Sequence, residues 1–473
     1  MDSSSNLLQK YSRPVPRYTS YPTVPFWKEN IDAGCWKEDF KESFHICNKE
    51  EGISLYLHLP FCESLCIYCG CNKKITRNHA VEEEYLQAVV REWRLYLGLM
   101  EQAPLIREIH LGGGTPTFFS PANLERLIAA ILEDSFVHRD HSFSLEGHPN
   151  NTTREHLDRL YAVGFRRISL GVQDLNEEVQ QIIRRIQPFE NLRRATEDAR
   201  AAGFTAINFD LIYGLPRQTP DRLRNSILRS VSLRPDRLAF YSYAHTPQLM
   251  PSQRLIDDKD LPSASEKLQL YELGKALLAE QGYTNIGMDH FALPGDELYT
   301  AWQEGRLHRN FMGYTTRQSR LLLGLGLSAI SDTGTAFAQN EKPLANYYQA
   351  IAHEELPISK GYFLTAEDNV FRRHILDISC NGRTLFDPAW TPVLEQWTLP
   401  MLRELEKDGL VTLDAKGVAL TEAGGPFLRH CCKAFDLHLL RNGQAGAAGA
   451  IGNSPRGDTA PGSGMHPLFS NAI

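Results

Sequence analysis

The sequence predicts an α/β fold in which a parallel sheet closes, or partly closes, into a barrel. Six short apolar segments follow one another between residues 54 and 243, and helical periodicity fills the intervals. The strand candidates begin at Ser54, Glu108, Phe143, Arg167, Ala206 and Arg237. The helical stretches cover Glu82–Met100, Ala122–Leu132, Arg154–Val163, Glu190–Ala202 and Asp221–Leu233. Strands that alternate with helices in this way form repeated βαβ units, whose strands run parallel.

Segments on either side of the barrel predict further domains. Residues 1–50 form an extended arm and a lead-in helix, and the part Tyr11–Trp27 is rich in proline and tyrosine. The barrel with its catalytic extensions occupies 51–355. Residues 356–440 form a mainly helical domain, in which LRELEKDGLVTLDAKGVALTEAG resembles a winged helix: a helix, a two-stranded hairpin and another helix. Residues 441–473 are rich in Gly, Ala, Ser and Pro, so we expect a flexible tail.

Composition and charge exclude several classes of function. A net charge of −7 over 473 residues argues against nucleic acid as a partner, because phosphate binding requires concentrated positive charge. The first residues lack the apolar segment of a signal peptide, and the apolar stretch Leu321–Ile330 is shorter than the about 20 residues that cross a bilayer. Nine cysteines without an export signal suit a reducing compartment, so we expect a soluble cytoplasmic protein without a membrane partner.

A cysteine-rich loop follows the first predicted strand. Within ten residues stand Cys62, Cys66, Cys69 and Cys71, the first three spaced C-x3-C-x2-C. Thiolates are the usual ligands of a 4Fe–4S cluster, and three local ligands leave one iron open for a small molecule. Structural zinc sites favour paired C-x2-C units or distant Cys/His pairs, and a disulfide does not suit a reducing compartment. The loop therefore favours an iron–sulfur cluster over zinc, a disulfide or buried thiols.

Polar residues also stand at the ends of the following strands. The second strand ends in the glycine run Gly112–Thr115, which lets the backbone approach a ligand and point its N–H groups at it. The third strand ends with Glu146, the fourth with Gln173 and Asp174, and the fifth carries Asp210. In parallel barrels the chemistry lies at the carboxyl ends of the strands. These side chains together predict a site for a polar ligand at the barrel mouth.

Several motifs together resemble a known family. They are RYTSYPT at Arg17–Thr23, the cysteine loop with CGCNK, HLGGGTPT at His110–Thr117, SLGVQD at Ser169–Asp174, DLIYGLP at Asp210–Pro216, YAH at Tyr243–His245, GMDHFA at Gly287–Ala292 and HRNFMGYTT at His308–Thr316. The chain resembles the radical S-adenosylmethionine enzymes, and within them the oxygen-independent coproporphyrinogen III oxidases, from about Arg13 to His438. The resemblance implies a partial (β/α)6 barrel of the radical S-adenosylmethionine type.

The resemblance also implies roles for individual residues. Three irons of one 4Fe–4S cluster would be bound by Cys62, Cys66 and Cys69. One S-adenosylmethionine on the cluster would contact Tyr56, Gly113, Glu146 and Ile330. A second would contact Tyr68, Gly114, Thr115, Gln173, Arg185, Asp210 and Ala244. The residues expected to act in catalysis are Tyr56, His58 and Cys71. Cys71 matches a family cysteine that does not ligate the cluster but is needed for activity.

The reaction implied is the oxidative decarboxylation of coproporphyrinogen III to protoporphyrinogen IX in haem biosynthesis. Reductive cleavage of S-adenosylmethionine gives a 5'-deoxyadenosyl radical, which removes a hydrogen from the β carbon of a propionate. A complete conversion needs two such decarboxylations, which agrees with the two molecules of S-adenosylmethionine that the resemblance implies. The implied partners are the porphyrinogen and an electron donor such as flavodoxin or ferredoxin, with the enzyme a monomer. Arg17, Tyr18 and Tyr21 of the arm are expected to meet the carboxylates and rings of the substrate.

Two other functions stay open on the sequence alone. A haem-trafficking relative would keep the cluster loop without oxidising porphyrinogen, although such relatives generally lack the arm and the cysteine at the position of Cys71. A non-catalytic scaffold stabilised by zinc or a cluster is the other. The chain also departs from the family at Glu146–Pro149, where EGHP replaces the EVDP of many members. A second departure lies at Ser379–Phe386, where SCNGRTLF replaces the more usual CNF in a segment predicted to form a lid over the substrate.

Overall fold

The computed structural model describes residues 7, 10, 11, 14–317 and 319–442. The prediction of a flexible tail over 441–473 therefore lies outside the described residues from position 443 onward. Among the described residues, no helix combines the length and the apolar character needed to traverse a bilayer.

The longest strands lie in the parallel part of the central sheet. In chain order they are β1 Lys28–Glu29, β2 Ile53–Leu59, β3 Phe61–Cys62, β4 Lys74–Ile75, β5 Leu105–Gly113, β6 Phe136–Gly147, β7 Phe165–Gln173, β8 Ala206–Tyr213, β9 Arg237–Ser242, β10 Thr284–Asn285, β11 His290–Ala292, β12 His308–Asn310, β13 Gly313–Thr315, β14 Leu322–Leu325, β15 Ile330–Asp332, β16 Ala336–Asn340, β17 Ile358–Phe363, β18 Arg383–Leu385, β19 Val411–Leu413 and β20 Gly417–Leu420.

The helices alternate with the strands through the first half of the chain. They are α1 Ala33–Cys47, α2 Val81–Leu97, α3 Pro121–Leu132, α4 Arg154–Ala162, α5 Glu177–Ile182, α6 Phe189–Ala202, α7 Pro220–Ser232, α8 Ala264–Glu280, α9 Glu297–Gln303, α10 Leu344–Ala352, α11 Ala366–Asn381, α12 Thr391–Val393, α13 Leu399–Lys407 and α14 Leu428–Lys433. A π-helical turn, Leu394–Thr398, joins α12 to α13. Short 3-10 turns cover Val24–Phe26, Pro116–Phe118, Pro251–Leu255, Asp258–Asp260, Pro388–Trp390 and Gly425–Phe427.

The central sheet is an open, partial barrel. Its parallel strands lie in the order β14–β2–β5–β6–β7–β8–β9, and they include all six strands predicted from the sequence. Antiparallel strands extend the sheet to β1 at one edge and β10 at the other. The parallel strand β14 comes from the apolar stretch Leu321–Ile330, which was not predicted as a strand. The predicted α/β class with a parallel sheet is confirmed.

Local sequence signals explain why the barrel helices begin where they do. Ser120, Thr153 and Thr219 each accept a backbone N–H in the first turn of α3, α4 and α7. Such caps satisfy N–H groups that have no partner inside the helix. The strand β2 is buried over almost its whole length, as expected for a parallel strand covered on both faces. These signals fix the helices against the sheet and leave the strand ends to build the site.

A second apolar core joins the N-terminal arm to the C-terminal region. Tyr11, Val15, Tyr18 and Tyr21 pack in one buried cluster with side chains of α11, α13 and α14. The C-terminal region contains a three-stranded sheet, β18–β20–β19, in place of the predicted two-stranded hairpin. The missed strand β18 lies in the segment predicted as a lid, and its three residues are too few for a periodic signal. The domain boundaries at 50, 355 and 440 stay predictions.

Candidate cofactor and substrate site

The cysteine loop is held by backbone hydrogen bonds at both of its ends. The short strands β3 and β4 pair in parallel, with Cys62 opposite Ile75. The N–H of Lys74 donates to Pro60 O (2.8 Å), and the N–H of Thr76 donates to Cys62 O (2.9 Å). Halfway along, the N–H of Ile67 donates to Ile183 O beyond α5 (3.1 Å). Because the backbone carries these contacts, the cysteine side chains do not have to support the loop.

The glycine run lies against this loop and needs glycine for steric reasons. The N–H of Gly114 donates to Leu59 O (2.9 Å), so pairing with β2 continues past the end of β5. A Cβ on Gly114 would lie 2.4 Å from Pro60 O, and one on Gly113, whose φ is +113°, would lie 2.6 Å from the His58 ring. A side chain here would therefore push the two strand ends apart. The close approach brings the run within reach of the cysteines.

The three predicted cluster ligands surround one cavity of about 280 Å³. The hydroxyl of Thr115 is 3.3 Å from Cys62 Sγ, and Arg185 Nη1 is 3.6 Å from Cys66 Sγ. Lys73 Nζ donates to Cys69 O (3.1 Å). These groups give the thiols hydrogen-bond donors and positive charge, which favour thiolates.

The thiols differ in how readily they ionise. Burial raises the pKa of the Cys62 thiol to about 11. The hydrogen bond between Cys69 and Cys71, helped by the charge of Lys73, lowers the pKa of Cys69, and the same contact raises the pKa of Cys71 well above its usual value. In the described part of the chain, no group of three His, Cys, Asp or Glu side chains converges as one metal ion requires. The three thiols around one cavity fit a cluster, each of whose irons takes one cysteine.

A second cavity of about 430 Å³ adjoins the first and shares part of its lining. The residues common to both are Tyr68, Cys69, Gly114, Thr115, His148 and Arg185. Of the other predicted site residues, the second cavity is lined by Cys71, Gly113, Glu146, Gln173, Asp210 and Ala244. Asp174, which the sequence analysis grouped with them, is instead buried beneath Gln218 and Ser226, to which it is hydrogen-bonded.

Two carboxyl groups of the second cavity differ in their charge. Burial opposes ionisation of Glu146, but His110 Nε2, 3.5 Å away, and the N–H of Gly113, 3.2 Å away, hold its pKa below the usual value. Burial raises the pKa of Asp210 to about 6, although Ser169 and Asn208 donate hydrogen bonds to it. Glu146 is therefore a carboxylate that can accept from an ammonium, whereas Asp210 changes its protonation in mildly acidic solution.

Three predicted site residues line neither cavity. Tyr56 and His58 lie on β2 behind the loop, where His58 Nε2 donates to Asn72 O (2.9 Å). Nδ1 of the neutral ring therefore accepts from the hydroxyl of Tyr56 (3.0 Å), and burial lowers the pKa of His58 in agreement with a neutral ring. Ile330 begins β15, on the far side of β14 from Tyr56. All three stay predictions as site residues.

Other residues of the site escaped the sequence analysis. His148 lines both cavities, and its Nδ1 accepts from the N–H of Asn150 (3.1 Å). Gln253 Nε2 bridges Tyr68 O (3.0 Å) and Ala244 O (3.1 Å), thereby joining the cysteine loop to the end of β9. The EGHP departure signalled His148, but no local pattern indicates Gln253, because its contacts depend on the path of a long loop.

The arm meets the site through one of its three predicted residues. Arg17 lines the second cavity and donates to Ser242 O (2.9 Å). Tyr18 and Tyr21 are buried away from it: the Tyr18 hydroxyl donates to Asp436 Oδ2 (3.1 Å), and the N–H of Leu437 donates to the Tyr21 hydroxyl (3.2 Å). The expectation that both tyrosines meet substrate is wrong in this structure, since their rings fill the core beside α14.

Comparison with known proteins agrees with this geometry. The family model described as the Radical SAM superfamily matches residues 56–229, and this is the class that the partial barrel and its cysteine loop define. The oxygen-independent coproporphyrinogen III oxidase of Escherichia coli strain K12 is 40% identical over 448 residues, 92% of this chain and 95% of that protein. The chain belongs to the oxygen-independent coproporphyrinogen III oxidase family.

Further relatives extend the similarity. The oxygen-independent coproporphyrinogen III oxidase of Pseudomonas aeruginosa is 38% identical over 445 residues, 92% of this chain and 96% of that one. The solved structure of Escherichia coli coproporphyrinogen III oxidase, described as a radical SAM enzyme, matches with a TM-score of 0.83 at 39% identity, covering 90% of this chain and 100% of that chain.

Proposed function

We propose that this protein is an oxidoreductase that converts coproporphyrinogen III to protoporphyrinogen IX without oxygen, by radical chemistry, in haem biosynthesis. The observation that supports it most strongly is the adjacency of the two cavities: three thiols line the first, and a second, larger cavity shares six lining residues with it. Membership of the family gives the substrate. The alternatives of a trafficking relative and a scaffold have no comparable support in the structure.

The cluster ligands would be Cys62, Cys66 and Cys69. When bound, the cluster and S-adenosylmethionine supply a carbon radical that removes a hydrogen atom from an unactivated C–H bond. Glu146, held as a carboxylate, would accept from the ammonium of the methionine moiety. The glycine run carries no side chains at Gly113 and Gly114, so the methionine moiety would approach the backbone closely there.

We also propose a second S-adenosylmethionine in the larger cavity. Arg185 lies between the cavities and can bind a carboxylate through two parallel hydrogen bonds, while Asp210 can accept from ribose hydroxyls. Gln173 has a φ of +63°, which turns it at the end of β7, and it also lines this cavity. Arg17 at the rim would bind a propionate of the porphyrinogen.

The remaining proposals concern partners and environment. An electron donor such as flavodoxin or ferredoxin would reduce the cluster, and the enzyme would act as a monomer. All nine cysteines are free thiols, which suits a reducing cytoplasm.

Anaerobic incubation of the reconstituted protein with dithionite, S-adenosylmethionine and coproporphyrinogen III tests the proposal. We expect 5'-deoxyadenosine and protoporphyrinogen IX, with two molecules of 5'-deoxyadenosine for each complete conversion. Formation of 5'-deoxyadenosine without any change of the porphyrinogen would refute the substrate, and haem binding without turnover would favour the trafficking relative.

A further inference from the structure

Two short segments carry exposed residues beside the cavity that contains the three cysteines. On one side lie Lys73, Ile75 and Arg77, alternate residues of the segment that contains β4, and Lys73 and Arg77 line the cavity. On the other side, Arg184 and Ile186 flank Arg185, which contacts Cys66. Alternate residues of an extended segment share one face. We call the surface formed by Lys73, Ile75, Arg77, Arg184 and Ile186 the cluster rim.

Two exposed aliphatic side chains lie close to the cysteines on the cluster rim. Ile75 is 45% exposed and is paired directly with Cys62 across β3 and β4. Ile186 is 57% exposed and lines the cavity. Single exposed apolar residues are common, but two beside one polar cavity form a ready contact surface.

The charge of the cluster rim is opposite to that of the whole chain. The charged residues that line this cavity, within the described part of the chain, are Lys73, Arg77, Arg185 and Glu63. With the adjacent exposed Arg184, four positive charges face one negative charge, a balance of +3, whereas the net charge of the chain is −7. Neither Arg77 nor Arg184 forms an ion pair within the described residues. Unpaired charge of one sign favours an oppositely charged partner and speeds its encounter.

We infer that the cluster rim is the docking surface of a small acidic one-electron carrier protein, whose exposed prosthetic group is brought over the mouth of the cysteine cavity. The inference rests on the proposed function, because that function requires one electron to enter the cluster for each radical formed. The carrier is oxidised by one electron, and the cluster is reduced by one. The aliphatic pair would exclude water at the centre of the contact, and the three cations of the cluster rim would orient the carrier.

A double charge reversal, Arg77→Glu with Arg184→Glu, tests the surface in the reconstituted full-length enzyme. The probe is a purified, reduced flavodoxin of negative net charge, and the measured quantity is the rate of 5'-deoxyadenosine formation. We expect a fall of about tenfold or more at low salt, because reversing rim charges acts on the association rate. The difference should shrink in high salt, since the screening length falls from about 30 Å at 0.01 M to about 3 Å at 1 M.

Two controls separate docking from damage to the site. Dithionite needs no docking surface, so the loss with flavodoxin should be several times greater than any loss with this reductant. Arg224→Glu with Arg403→Glu changes the net charge equally at exposed positions far along the chain, and it should leave the flavodoxin-driven rate unchanged. An equal loss in this control variant, or an equal loss with dithionite, would overturn the inference.

Binding measured by calorimetry makes the result independent of turnover. The flavodoxin should bind the unmodified enzyme more tightly than the double variant by about tenfold. If the unmodified enzyme forms no 5'-deoxyadenosine with dithionite, the proposed function fails, while the binding difference still reports on the surface. Self-association of the unmodified protein that the double variant abolishes would assign the rim to a second copy of the chain and overturn the carrier.

Discussion

The cysteine loop and the N-terminal arm border the same cavity, but they are fixed by different kinds of contact. The loop is held by backbone N–H and C=O groups, through the pairing of β3 with β4 and through Ile67. The arm is held by side chains: Tyr18 bonds to Asp436, Arg309 donates to Tyr18 O (2.7 Å), and Arg429 donates to the carbonyls of Val15 and Pro16.

This difference indicates how far each segment can tolerate mutation. A loop held by its backbone leaves its side chains available for chemistry, so changes there should remove activity without unfolding the protein. An arm held by buried side chains loses its position when one of them changes, because a buried polar group left without a partner costs free energy. The following changes test the contrast, beginning with the largest expected effect.

Replacement of Cys62, Cys66 and Cys69 together by serine should remove the visible absorption of the reconstituted cluster and reduce turnover to background. The far-ultraviolet circular dichroism and the melting temperature should stay close to those of the apoprotein, because the backbone holds the loop. Cys35→Ser on the exposed part of α1 is the matched control and should keep the cluster. Unfolding of the triple variant would show that the thiols support the loop after all.

Tyr18→Phe should release the arm. The substitution leaves Asp436, which is buried, without the hydroxyl it accepts from, at a cost of about 1–3 kcal/mol. Limited proteolysis should then cut within 14–27 at least several times faster, and turnover should fall because Arg17 is no longer held at the cavity rim. Tyr161→Phe on the surface provides the control. Unchanged proteolysis and turnover would refute the role of side chains in holding the arm.

Asp210→Asn should stabilise the protein at neutral pH while lowering its activity. Burial raises the folded pKa of Asp210 to about 6, above its usual 3.8, so the folded state holds this proton more tightly than the unfolded chain. The contribution of Asp210 to the free energy of unfolding therefore falls as pH rises from about 4 to about 6. The variant should gain up to about 3 kcal/mol over the parent above pH 6, and little below pH 4.

Urea unfolding of both proteins across this pH range measures the gain. A difference that does not depend on pH would show that Asp210 is not protonated more readily in the folded state.

Tyr56→Phe should have the smallest effect. It removes one hydrogen bond, to His58 Nδ1, while the bond from His58 to Asn72 O stays. The expected loss is about 1 kcal/mol in the free energy of unfolding, with the cluster retained. A loss of turnover much greater than the loss of stability would give Tyr56 the role in cofactor binding that the sequence resemblance implies.

The barrel strands could be predicted because each is a compact apolar run between helices with clear periodicity. The strand β14 could not be predicted, because its segment LLLGLG pairs with β2, which lies more than 250 residues earlier in the chain. No helix stands directly before this segment to mark a βαβ unit. The cavity residues were predictable where they lie on a predicted strand or at its end, as Asp210 of β8 and Glu146 of β6 do. Gln253 was not, because it reaches the site from a loop. The tyrosines of the arm were ambiguous in the sequence. An aromatic ring with a hydroxyl can contact a ligand, and it can equally be buried in a core where its hydroxyl finds a hydrogen-bond partner.

The partners of the arm lie near the other end of the described chain. Arg429, Asp436 and Leu437 are more than 400 residues away from the segment that they fix. The arm is synthesised first, so it cannot take up its observed packing until these C-terminal residues have also been made.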